Sequence, residues 1–74
     1  MFSPFKRVIM ITINGKPQDI REGVSLLELL EDQGFRLGVI AVEYNGKVIK
    51  KDAYSEIQLH NGDKLEVVSF VGGG

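Results

Sequence analysis

The sequence predicts an α+β fold in which a mixed sheet of four to five strands carries one main helix packed across one face. Three observations predict it. Asn-Gly steps recur at Asn14-Gly15, Asn45-Gly46 and Asn61-Gly62, each flanked by apolar or alternating residues. One segment, Ser25 to Asp32, has helical spacing and its own start signal. A last segment, Lys64 to Phe70, alternates as a strand does.

The Asn-Gly dipeptide supplies the positive φ values that a type I′ turn needs, so it is the strongest short-range hairpin signal. Ile9, Ile11 and Ile13 alternate with Met10 and Thr12 before the first step, and Lys16 to Ile20 returns. Val39 to Tyr44 runs into the second, and Lys47 to Lys50 returns. The third, Asn61-Gly62-Asp63, turns a loop into the final strand. Between the hairpins, Ser25-Leu26-Leu27-Glu28 is a capping box, in which the serine side chain caps the Glu28 amide and Glu28 reaches back to the serine amide. Leu26, Leu27 and Leu30 are expected on the buried face, with Leu29 at its margin and Glu28, Glu31 and Asp32 outside. Gly34 is the expected stop just past the helix. Asp52 to Ile57 is expected as a turn or short 3₁₀ segment over one end of the core.

Hairpin, helix, hairpin, connection, strand is an order that buries its apolar faces if the helix lies across one side of the sheet. The last strand then pairs centrally and parallel to the first, across the long crossover that such pairing requires. That arrangement is the β-grasp, or ubiquitin-like, architecture. Residues 10–71 form the domain, 1–9 are an N-terminal extension or the start of the first strand, and 72–74 a flexible glycine tail.

Composition narrows the function. Seventy-four residues make one small domain, with 43% hydrophobic and 26% charged residues and a formal net charge of −1. Nothing in that charge favours nucleic acid or an anionic membrane. No apolar run approaches a bilayer span, and residues 1–7 lack a signal-peptide pattern, so the cytoplasm is the expected location. There is no cysteine, which excludes disulfides, thiolate metal sites and a cysteine nucleophile. No phosphate-binding glycine loop or acid-base pair is evident, so the chain is not expected to be an enzyme. Gly72 to Gly74 cannot cradle a phosphate, because no helix follows them.

The tail is the unusual feature. Glycine loses the most entropy on ordering, so three in succession weaken a strand and leave a terminus suited to insertion into another protein. Three extended residues reach roughly 10 Å, and without side chains they thread a narrow channel. The group they deliver is the Gly74 α-carboxylate.

Several segments together resemble the ThiS-like sulfur-carrier proteins of thiamin thiazole biosynthesis. They are Ile11-Thr12-Ile13-Asn14-Gly15, the helix with Leu29-Leu30-Glu31, Ile40-Ala41-Val42-Glu43-Tyr44-Asn45-Gly46, and Asn61-Gly62-Asp63-Lys64-Leu65-Glu66-Val67-Val68 leading into Phe70-Val71-Gly72-Gly73. The resemblance runs from about Met10 to the end. It departs in two places: residues 1–9 precede the usual start of the family, and three terminal glycines stand where two suffice, so the reactive carboxylate is shifted by one residue or the extra glycine is tolerated.

The resemblance implies a chemistry. A partner adenylating, E1-like enzyme joins the terminal glycine, Gly74, to AMP using ATP and magnesium, the acyl-adenylate accepts sulfur from a persulfide donor, and a thiazole synthase consumes the resulting thiocarboxylate. The carrier itself binds no cofactor and no metal. Alternative readings are a sulfur carrier of another pathway, like the small subunit of molybdopterin synthase, a ubiquitin-like protein modifier, and an interaction module without tail chemistry.

Strand alternation also predicts a partner surface. With Leu65 and Val67 toward the helix, Glu66, Val68 and Phe70 point to the other side. Met10, Thr12 and Ala41 are expected on that same open face, and exposed apolar groups on so small a protein mark a docking site. His60, the only histidine, has no spaced partner and is read as a surface residue. Lys50-Lys51-Asp52 is read as a solvated charge cluster, and Phe35 and Tyr54 as closing the ends of the core.

Overall fold

The computed structural model of the chain describes residues 7–70. Strands β1 (Val8–Ile13) and β2 (Lys16–Arg21) are followed by helix α1 (Leu26–Asp32), β3 (Ile40–Tyr44), β4 (Lys47–Ile49) and β5 (Lys64–Ser69). Short 3₁₀ segments occupy Leu37–Val39 and Lys51–Glu56. The five strands form one sheet in the order β2-β1-β5-β3-β4. As expected, β5 is central, parallel to β1 and antiparallel to β3. This is the β-grasp fold, and β1 takes in Val8 and Ile9.

The first two Asn-Gly steps make the anticipated hairpins, with positive φ at both central residues of each turn: Asn14 (52°), Gly15 (82°), Asn45 (51°) and Gly46 (87°). The third differs. Only Gly62 of that pair has positive φ, and the Asp63 N–H donates to the His60 carbonyl, closing a four-residue turn ahead of β5.

Helix α1 begins with a complete capping box, Glu28 N–H to Ser25 Oγ and Ser25 N–H to Glu28 Oε1, each 3.0 Å. At its other end the Gly34 N–H donates to the Glu31 carbonyl and the Phe35 N–H to the Leu30 carbonyl, the paired bonds of a Schellman stop. The buried face, however, is Leu26, Leu29 and Leu30, and Leu27 is only half-buried. Expectation had Leu27 inside and Leu29 at the margin. At about 100° per residue, positions 26, 29 and 30 subtend the same arc as 26, 27 and 30, so helical spacing permits either face and packing against the rest of the core selects the first.

The core joins these leucines to Ile9, Ile11, Ile13, Ile40, Val42, Leu65 and Val67 of the sheet and to Tyr54 and Leu59. Tyr54 is fully buried, whereas Phe35 packs at the edge, half-buried. The segment carrying Leu59 is tied beside the helix entry by Leu26 N–H to the Ile57 carbonyl and Leu59 N–H to the Val24 carbonyl. No helix among the described residues is long and apolar enough to cross a membrane.

Candidate functional site

The terminal glycines Gly72, Gly73 and Gly74 lie outside the described residues, so the site is built from the strand that leads to them. Along β5, Leu65 and Val67 are buried and Glu66 and Val68 exposed. Pairing is continued past the strand by the Phe70 N–H, which donates to the Val39 carbonyl at 2.8 Å. Val68 is 60% and Phe70 62% exposed, so the expected register holds.

Cross-strand register gathers the rest of the open face. Ala41 lies opposite Val68, and Glu43 opposite Glu66. Val48 of β4 lies opposite Glu43, and Val8, Met10 and Thr12 share the face on β1 by alternation. Among the described residues, the five exposed large hydrophobics, Val8, Met10, Val48, Val68 and Phe70, therefore lie on one side of the sheet, away from α1. Val8 and Val48 were not anticipated. Val48 was legible in principle, since a two-residue Asn45-Gly46 turn pairs Tyr44 with Lys47 and hence Glu43 with Val48.

Sharing a face does not make one patch. Because Thr12 is level with Lys64, Met10 lies six strand positions from Val68, about 20 Å at the usual rise per residue. One apolar end holds Ala41, Val68 and Phe70, nearest the chain terminus; the other holds Val8 and Met10. A charged belt of Lys64, Glu66 and Glu43 lies between. Ala41 and Thr12 are half-buried within the sheet.

The strand that presents this face is held by side chains assigned at first only to turns. Asn14 brackets Val67, accepting its N–H at 2.7 Å and donating to its carbonyl at 3.2 Å. Asn45 Oδ1 accepts the Lys64 N–H at 2.8 Å, and Asn61 Oδ1 accepts the Met10 N–H at 2.9 Å. Each asparagine thus clips a hairpin or turn to a neighbouring strand.

Asp63 is the one buried charged residue among those described, 8% exposed. Its carboxylate accepts from the His60 N–H (2.8 Å), the Asn45 amide (3.1 Å) and the Tyr44 hydroxyl (2.8 Å). Burial pushes its pKa up, but these three hydrogen bonds and the nearby His60 outweigh burial and hold the carboxyl below the ordinary aspartate value. His60 itself is exposed. Sequence reading missed Asp63; the signal was its position directly after Asn61-Gly62, where a short acceptor closes its own turn. Lys50, Lys51 and Asp52 are exposed at the start of the second 3₁₀ segment.

A family model described as the ThiS family matches residues 11–74. This chain belongs to the ThiS family. Among relatives of similar size, the sulfur carrier protein ThiS of Bacillus subtilis is 33% identical over 66 residues, covering 88% of this chain and 100% of that protein. The crystal structure of the thiamine biosynthesis protein ThiS from Geobacter metallireducens superposes with a TM-score of 0.76 at 32% identity, over 89% of this chain and 100% of the other. A thiazole synthase of Paramagnetospirillum magneticum is 34% identical over 64 residues. That match takes in 86% of this chain but spans only 20% of the synthase. A segment similar to this chain therefore occurs both as a small protein and as one fifth of a larger polypeptide.

Proposed function

We propose that this chain carries sulfur as a C-terminal thiocarboxylate for thiazole formation in thiamin biosynthesis. The observation that carries the reading is a family match running from β1 through the last glycine, supported by full-length relatives named as sulfur carriers. The Gly74 carboxylate is a poor acyl donor, because its leaving group would be oxide. A partner adenylating enzyme uses ATP and magnesium to convert it to an acyl-adenylate, with pyrophosphate released. The terminal sulfur of a persulfide then attacks the acyl carbon and AMP departs. A thiol takes up the remaining sulfur of the S–S bond as a disulfide, leaving the thiocarboxylate as a soft nucleophile for thiazole synthase. No side chain of the carrier enters these steps.

Gly72 and Gly73 serve as the slender lead into the partner's channel, and Val68, Phe70 and Ala41 dock beside it. Met10 belongs to the same face but makes an outlying contact. Two measurements test the reading. ATP–pyrophosphate exchange by the adenylating enzyme should be lost on deleting Gly73 and Gly74 and blocked by Gly73→Val, because a β-branched side chain thickens and stiffens the tail. Intact mass of the chain isolated from its own cell should show one oxygen replaced by sulfur. Undiminished exchange with the truncated chain, or recovery as lysine conjugates instead, would overturn the reading.

A further inference from the structure

The open face contains a pairing that works against the isolated fold. Glu43 and Glu66 are directly opposite on the central neighbours β3 and β5, and both are exposed. Like charges at such a position destabilise a sheet. The pair adjoins the Ala41–Val68 row on one side, with Val48 beyond Glu43. Two carboxylates beside an apolar patch are a mismatch for the free chain and a complement for a surface that brings a cation into an apolar contact.

Resting on the sulfur-carrier reading, we infer that this face recognises thiazole synthase through an arginine or lysine of the synthase seated between Glu43 and Glu66, with Val68, Phe70 and Val48 around it. Two observations favour that occupant. The two opposed carboxylates outnumber Lys64, the one cation named in the belt, and leave room for a basic partner side chain between them. A relative also carries a segment like this one within a thiazole synthase polypeptide, which holds the two surfaces at high effective concentration. An arginine suits the position well, since its planar fork can engage both carboxylates at once.

The inference requires binding and stability to move in opposite directions. Glu66→Gln and Glu43→Gln relieve the repulsion, so each should raise the urea midpoint while weakening docking of the full-length chain to thiazole synthase from the same cell by about tenfold or more. Glu43→Lys creates an opposite-charge pair within the sheet and should stabilise further while abolishing docking. Glu31→Gln, the same charge change on the helix side, serves as the control and should leave affinity unaltered.

A parent chain that docks with an affinity insensitive to Glu43→Gln and Glu66→Gln overturns the inference and leaves the carrier reading standing. Equal loss in the Glu31→Gln control also overturns it, by reducing the effect to net charge. A parent chain that neither docks nor carries sulfur defeats both readings together. A dimer dissociated by Phe70→Asp, or an affinity raised by removing residues 1–6, assigns the face to another occupant and overturns it.

Discussion

Tyr44 donates its hydroxyl proton to Asp63 Oδ2 across 2.8 Å, joining the last residue of β3 to the residue just ahead of β5. Burial first, and then the hydrogen bond to and charge of Asp63, push the Tyr44 pKa up to about 12. The phenol therefore stays a donor well into the alkaline range, and the carboxylate stays an acceptor to below the ordinary aspartate value.

These shifts predict two limbs in stability against pH. A depressed folded-state pKa at Asp63 means its contribution is present above the unfolded value and is lost as pH falls through the folded one. The urea midpoint should decline on acidification below about pH 4. A raised pKa at Tyr44 means the reverse: its contribution is present below about pH 10 and is lost as pH rises toward 12. Tyr44→Phe should flatten the alkaline limb, with the part due to Tyr54, raised by burial, remaining. Asp63→Asn should lose about 1–3 kcal/mol at neutral pH by breaking a buried acceptor set and should flatten the acid limb. An unchanged acid limb in that variant would assign it to other carboxylates.

The Asn14 clip predicts an effect separable from its turn. Asn14→Gly keeps the positive φ but removes both side-chain bonds to Val67, so the loss, about 1–2 kcal/mol, reports the clip rather than the turn. Hydrogen exchange at the Val67 amide should accelerate more than global unfolding alone explains.

The rotation of α1 predicts an order among its leucines. Leu30→Ala and Leu29→Ala should each lower stability by about 2–5 kcal/mol, a large share of what so small a domain has. Leu27→Ala should be clearly milder, since that side chain is half-buried. A Leu27 loss as large as that at Leu29 would restore the orientation read from sequence.

Separation of the two apolar ends predicts unequal docking effects. Phe70→Asp should weaken binding to the adenylating enzyme by about 2 kcal/mol or more with little change in urea midpoint, because the side chain is already exposed. Met10→Asp should weaken it less, lying far from the end that carries the tail. Calorimetric titration and urea unfolding on the same two variants decide the matter; equal losses would mean that the partner spans the whole face.

Much of this protein was determined locally. Two successive residues at positive φ make a tight hairpin wherever they stand, a serine three residues before a glutamate closes its own helix entry, and alternation along Lys64 to Phe70 permits only one choice once Leu65 and Val67 are inside. These signals act within a few residues, so they were legible in the chain and led to the fold and to Val68 and Phe70. What the tertiary structure alone decided depends on residues far apart in sequence. The Asn14 side chain finds Val67 across 53 positions, and Asn61 finds Met10 across 51. The level at which β1 meets β5 separates Met10 from Val68 and sets a charged belt between them. Whether Leu27 or Leu29 completes the helix face was settled by the sheet beneath it, since a run of leucines satisfies either rotation until a second surface selects one.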